Sequence, residues 1–231
     1  MHLLSYFPLA VFTHDLESEL ANEIEKVVEP HLGTLEKNDQ QYSDFEGQEI
    51  LEKVQAEPCI KGLITILMNA SNKYISEIGL PDYPRGLNGW IQDYKNEKDH
   101  HGRHNHCDSV HDISGVYYIK GSENSSKLRI HNPNPIISLQ NSSSSQTPYN
   151  NMYADMEIKK GKIYIFPSWL SHEVVGNKNN ESGRTVFAFN LAQLVKQYPE
   201  MLPSISDISD NRTISSEEKN NRMNFKNAPF L

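Results

Sequence analysis

Cysteine is scarce in this chain: Cys59 and Cys107 are the only two among 231 residues. These two make no metal-type pair and no disulfide framework, so a reducing, cytoplasmic setting is expected. Positive charge is also short, with 22 Lys and Arg against 30 Asp and Glu, a formal net charge of -8. No basic stripe appears, which argues against a nucleic-acid binder. No apolar run approaches the roughly 20 residues of a membrane helix, so no membrane partner is expected. The opening residues "MHLLSYFPLAVFTHDLE" lack a basic n-region and are broken by Pro8, so they do not read as a signal peptide. Internal repeats are absent as well.

What remains is an ordinary globular composition, 37% hydrophobic and 23% charged. The length suits one domain with a core of its own. The expected organisation is a single domain over 1–231: a helical support region over 1–86, a β core over 87–200 and a polar tail over 201–231. "LLSYFPLAVF" reads as an opening strand interrupted at Pro8. "THDLESELANEIEKVVEP" reads as a helix capped by Thr13, with Leu16, Leu20, Ile24 and Val27 at helical spacing and Pro30 as its end. "GQEILEKVQAEP" suggests a short helix. "IKGLITILMNASNKYISEIG" suggests a longer one, with Leu63, Ile66, Leu67, Ala70, Tyr74 and Ile78 on one stripe and Gly79 as the stop.

After "LPDYPRG" the pattern changes to period-two, β-rich segments: "LNGWIQDY", "ISGVYYI", "KLRIHN", "EIKKGKIYIFPS", "HEVVGN" and "RTVFAFNLAQ". Helices first and strands after predict an α+β fold, mainly β, built on an antiparallel sheet or barrel. "SLQNSSSSQTPYNN" is a polar low-complexity loop, either a lid over a site or an exposed insertion. The N-terminal helices either buttress the barrel or offer a homodimer face. The tail from Ser204 is polar, with Met223, Phe225 and Phe230 as its few apolar anchors.

Histidine is concentrated. Five of the ten, His100, His101, His104, His106 and His111, fall within twelve positions, directly before the apolar run "ISGVYYI". Strand residues two apart share a face, so "HNHCDS" offers His104 with His106 and His106 with Asp108. A histidine and a carboxylate so spaced can hold one metal, with a distant third ligand. The distant candidate is His172 in "FPSWLSHEV". Such a set suits ferrous iron, zinc or manganese. The competing reading is a solvated loop of histidines with Lys98 and Arg103. His100, His101 and His111 have no placed partner and read as surface groups or groups around the site. Arg184 opens "RTVFAFN", where Arg184, Val186, Ala188 and Asn190 share one face. An arginine aimed into an apolar barrel mouth needs an anion, and its planar fork suits a carboxylate. A salt bridge at the strand's start is the structural alternative.

The ordered blocks "HCD…SGVYYI…GKIYIFPSWLSHEV…GRTVFAFN" resemble the iron(II)/2-oxoglutarate-dependent oxygenases, closest to the type found in marine bacteria and phages and related to prolyl 4-hydroxylases. The resemblance runs from about Asn88 to Asn190. It implies a double-stranded β-helix, or jelly-roll, with Fe(II) as cofactor and 2-oxoglutarate and dioxygen as co-substrates. It implies a hydroxylase acting on an unidentified protein side chain or small molecule, releasing succinate and CO2. Carried over residue by residue, the metal pair falls on His106 and Asp108, with His104 as a neighbour or a rival first ligand, and the distal ligand falls on His172. Arg184, twelve residues beyond His172, matches the arginine that holds the far carboxylate of 2-oxoglutarate. Tyr118 resembles the strand tyrosine that helps there, with Tyr94 and Asn190 as weaker candidates. Trp169 is assigned to core or rim packing. The alternatives are a metal-binding cupin-like jelly roll without oxygenase activity and a non-catalytic structural module.

Overall fold

The computed structural model describes residues 9–32, 44–95, 99–107, 110–134, 151–176 and 183–194, with side chains from 47 onward in the second of these helical segments. Its elements in chain order are β1 (Phe12–Asp15), α1 (Ser18–Val28), a 3-10 turn (Glu29–His31), α2 (Asp44–Val54), α3 (Pro58–Glu77), β2 (Arg85–Tyr94), β3 (His101–His104), β4 (His111–Lys120), β5 (Leu128–His131), β6 (Tyr153–Asp155), β7 (Lys162–Pro167), β8 (His172–Val174) and β9 (Arg184–Gln193). None of the described helices is long and apolar enough to cross a membrane.

Helix α3 shows how its sequence sets both ends. Pro58 occupies the first turn, where its missing N–H costs nothing. At the other end Gly79 takes φ 72, the Leu80 N–H donates to the Ile75 carbonyl at 3.0 Å and the Gly79 N–H to Ser76 at 3.3 Å. This is a Schellman stop, and it needs the left-handed residue that glycine supplies. The buried stripe is Ile60, Leu63, Leu67, Ser71, Tyr74 and Ile75. Ile66, Ala70 and Ile78 of the expected stripe lie on its flank, only partly buried.

Two expectations at the N-terminus need correction. The described strand there is Phe12–Asp15, at the end of the expected apolar segment and past it, while residues 1–8 lie outside the described residues. Thr13 does not cap α1, because it sits in β1 opposite Tyr164. The cap position belongs to Glu17, in extended conformation and without a side-chain cap bond. Pro30 lies in the 3-10 turn that follows the helix.

The strands form two antiparallel sheets. One has five strands in the order β1-β7-β4-β9-β2, and the other has four in the order β3-β8-β5-β6. From β2 to β9 the chain alternates between them, except that β5 and β6 both lie in the smaller sheet, and its pairings nest: β5 with β6, β4 with β7, β3 with β8, β2 with β9. The fold is therefore mainly β and antiparallel, as expected. The six expected strand segments all carry strands, and β3 and β6 are additional.

Strand alternation divides the core in two. From β4, Ile113, Tyr117 and Ile119 join Leu63, Leu67 and Tyr74 of α3 and Ile24 of α1 beneath the larger sheet. Val116 and Tyr118 point the other way and pack with Leu128, Ile130 and Val174 of the smaller sheet and with Tyr164 and Val186. Because both faces are covered, β4 reads as a nearly continuous apolar run. Gly115 at its centre is explained by contact. A Cβ there would lie 2.2 Å from Cζ of Phe189, whose ring fills that space. Asp108, the loop over 138–150 and the tail over 201–231, with Met223, Phe225 and Phe230, lie outside the described residues.

Candidate metal centre and acid-binding pocket

The smaller sheet brings two histidines face to face. His104 ends β3 and His172 begins β8, and the two are cross-strand partners. Their ring centroids are 4.3 Å apart. His106 follows just beyond β3, 5.1 Å from the His104 ring and 5.4 Å from that of His172. One ligand atom from each of the three lies within 4.8 Å of the others.

The segment "FPSWLSH" fixes this arrangement. Pro167 ends β7, and a turn closes as the Leu170 N–H donates to the Pro167 carbonyl at 3.0 Å. The Ser168 carbonyl accepts the backbone N–H of His106 at 2.8 Å, and the Ser168 hydroxyl donates to the His111 carbonyl at 2.6 Å. The Leu170 carbonyl accepts Nδ1–H of His172 at 2.8 Å. Gly102 does the same for His104 at 2.7 Å. A protonated Nδ1 leaves the lone pair on Nε2, the tautomer a metal requires. Trp169, at the apex of this turn, is 47% exposed and so belongs to the rim.

Burial reinforces that state. It pushes His172 down to about 3, opposed by the Leu170 bond and aided by the neighbouring His104, His106 and His101. His101 is pushed down to about 4, again by burial first and then by the charges of His104, His106, Arg184 and His100. Both imidazoles are therefore neutral at pH 7 and able to act as ligands without losing a proton. Three imidazole nitrogen donors fit a divalent first-row ion such as iron(II), zinc or manganese.

Arg184 enters the same pocket from the larger sheet. It opens β9 opposite Tyr94 and is only 1% exposed. Its guanidinium carbon lies 4.7 Å from the Tyr94 ring centroid and 5.2 Å from that of Tyr118. Among the described residues neither Nε nor Nη1 has a hydrogen-bond partner, and the buried Tyr118 hydroxyl has none either. The salt-bridge alternative finds no support in that geometry. A buried guanidinium left so is costly, and a carboxylate is the ligand its fork matches. The pocket wall includes His104, His106, His172, Arg184, Tyr94, Gln92 and Asn190. Asn190 is held by the Ser114 hydroxyl, which donates to Oδ1 at 2.7 Å. The free space measures about 50 Å³, so a small diacid would seat only with movement of the lining side chains.

Of the expected ligands, His106 and His172 converge, and His104 stands with them; Asp108 lies outside the described residues. Arg184, Tyr94 and Asn190 reach the same pocket, and Tyr118 meets it through Arg184. Spacing alone does not single out His101. It lines the pocket, and its ring stacks on His104 with centroids 4.2 Å apart and planes at 20°. Gln92 lines the pocket too, since a glutamine two residues from Tyr94 on a buried strand shares its face. His111 opens β4, its ring 6.5 Å from His106.

Comparison with known proteins bears on the family and the fold. Residues 88–190 match the model of a family described as "Putative 2OG-Fe(II) oxygenase", a span running from β2 to Asn190 of β9. A prolyl-4-hydroxylase from Pseudomonas putida superposes with a TM-score of 0.51 at 16% identity, covering 80% of this chain and 88% of that one. A Trichoplax adhaerens prolyl hydroxylase, solved with a hypoxia inducible factor oxygen degradation domain peptide fragment, gives 0.51 at 13% identity, covering 80% and 83%. At these identities the likeness is one of fold. No curated protein sequence matches significantly.

Proposed function

We propose that the chain is an iron(II)- and 2-oxoglutarate-dependent dioxygenase that hydroxylates a protein side chain or small molecule. The observation that carries this reading is the buried Arg184, its Nε and Nη1 unpaired, in one pocket with three converging imidazoles. The family match over 88–190 supports it. The nested strand pairing supports a double-stranded β-helix, because an eight-stranded jelly roll folds a long antiparallel pair across two sheets in this way. The shared core of α1, α3 and the larger sheet supports reading 1–86 as a buttress for 87–200.

In this reading His104, His106 and His172 hold the metal, and Asp108 is a further candidate ligand. Iron(II), when bound, supplies the redox chemistry in which 2-oxoglutarate, dioxygen and a C–H bond give succinate, CO2 and an alcohol. The protein's own contribution is placement. Nδ1–H bonds to Gly102 and Leu170 keep two Nε2 lone pairs aimed at one point. Arg184 pairs with the far carboxylate of the 2-oxo acid, and the Tyr118 hydroxyl donates to the same group. Val116, Phe166, Val186 and Leu128 line the space between and exclude water.

The test is anaerobic titration of the Fe(II)-loaded protein with 2-oxoglutarate, watching the weak visible charge-transfer band of the chelate. The band is expected in the wild type and lost in His172→Ala. Iron binding without the band in the wild type would overturn the reading and leave a cupin-like metal protein.

A further inference from the structure

We propose that His101 is a second anchor for the carboxylate held at Arg184, an assignment that rests on the functional reading above. The register between β3 and β8 shifts between His101 and His104. In a regular strand, residues three apart face opposite sides. Here the irregularity turns both imidazoles inward, and bulges commonly re-aim a side chain beside a site. His104 lies opposite His172, and His101 lies one step further along, opposite Val174. Val174 and Leu128 are themselves cross-strand partners and pack with Tyr94, Tyr118 and Val186 around Arg184. His101 therefore occupies the end of the pocket where Arg184 stands, while its stacked neighbour His104 occupies the metal end.

Donor counting assigns it a task. A carboxylate offers about four lone-pair sites. Arg184, with Nε and Nη1 unpaired, takes at least one, and the unpaired Tyr118 hydroxyl takes another. These donors come from β4 and β9, both in the larger sheet. His101 comes from the smaller one, and its ring N–H adds a donor from across the pocket, at a lone-pair site the others leave open. An acid clamped from both sheets is fixed along its length, which places its other end at the imidazoles.

The experiment compares wild type, His101→Phe, His101→Gln and Arg184→Ala. Metal affinity is read first, with Co(II) alone. 2-Oxoglutarate affinity is then read from the anaerobic Fe(II) charge-transfer band. Phenylalanine keeps a ring to stack on His104 and removes the hydrogen bond; glutamine keeps an N–H and removes the ring. His101→Phe is expected to bind Co(II) like wild type and to bind 2-oxoglutarate about tenfold more weakly, the effect of one hydrogen bond to a charged group. His101→Gln should recover most of that loss. Unchanged 2-oxoglutarate affinity in His101→Phe, with Arg184→Ala impaired, overturns the role of His101 and leaves the oxygenase reading intact. Weaker Co(II) binding in His101→Phe overturns it as well, by making His101 a support for the metal ligands. Absence of the band in the wild type removes both readings together.

Discussion

His104 and His172 are tied to the backbone in the same way: in each, Nδ1–H donates to the carbonyl two residues earlier, at Gly102 and Leu170, over 2.7 and 2.8 Å. The two histidines are thus set for one shared partner before any metal arrives. Replacing either by alanine should weaken Co(II) or Fe(II) binding by more than about 100-fold, beyond the loss typical for a group that merely supports a ligand. Calorimetric titration of the metal-free protein measures this. Asp108→Ala in the same assay decides whether the carboxylate belongs to the set; a loss as large as that in His104→Ala would put it there.

Arg184→Lys keeps the charge and discards the fork. Lysine cannot donate two parallel bonds to a carboxylate, so 2-oxoglutarate affinity should fall by at least about tenfold while metal affinity stays unchanged. Equal affinity for 2-oxoglutarate in the two proteins would show that Arg184 is not its anchor.

Tyr118→Phe should separate stability from binding. The Tyr118 hydroxyl is buried without a described partner. Removing it relieves a desolvated polar group, so the ligand-free variant should melt at the wild-type temperature or above it. The same change should weaken 2-oxoglutarate binding. A clear drop in melting temperature would mean that the hydroxyl already has a structural partner.

Acid should destabilise the metal-free protein. His172 and His101 titrate at about 3 and about 4 in the folded chain, against an ordinary 6.5, because burial disfavours the charged ring. Between 6.5 and 4 the unfolded chain therefore binds more protons than the folded one. Stability must fall as pH drops through that window. Melting temperatures at pH 7 and pH 5 in the presence of a chelator check the sign, and a higher value at pH 5 would contradict it.

Gly115→Ala should cost about 1–3 kcal/mol, the usual penalty of overpacking a filled core. The added methyl would meet the Phe189 ring at 2.2 Å. Urea denaturation gives the figure, and Phe189→Leu should recover part of it by making room.

Much of this architecture was legible because its strands are rich in β-branched and aromatic residues. "SGVYYI" and "RTVFAFN" could hardly be anything else, and their burial on both faces follows from the helices beneath the larger sheet. β3 and β6 were not legible. "HGRH" and "YAD" are short, polar and at the edges of their sheet, where little packing acts on composition. Thr13 looked like a cap because its chemistry suits one, but pairing with Tyr164 claimed its backbone for a strand. At the site, His106, His172 and Arg184 could be found from order and spacing. His101 could not, because its inward aim depends on an irregular register that no residue announces.

The nested pairing also bears on how the protein assembles. Each pair encloses a longer stretch of chain than the one inside it, from β5 with β6 out to β2 with β9. Contacts between distant residues are reached slowly, since closing longer loops costs more entropy. If the pairs form in order of separation, His104 meets His172 only in the third, and Tyr94 meets Arg184 only in the last. A chain still growing, or only half folded, would have neither His104 beside His172 nor Arg184 beside Tyr94. On the proposed function, a metal would then bind only after both sheets had formed.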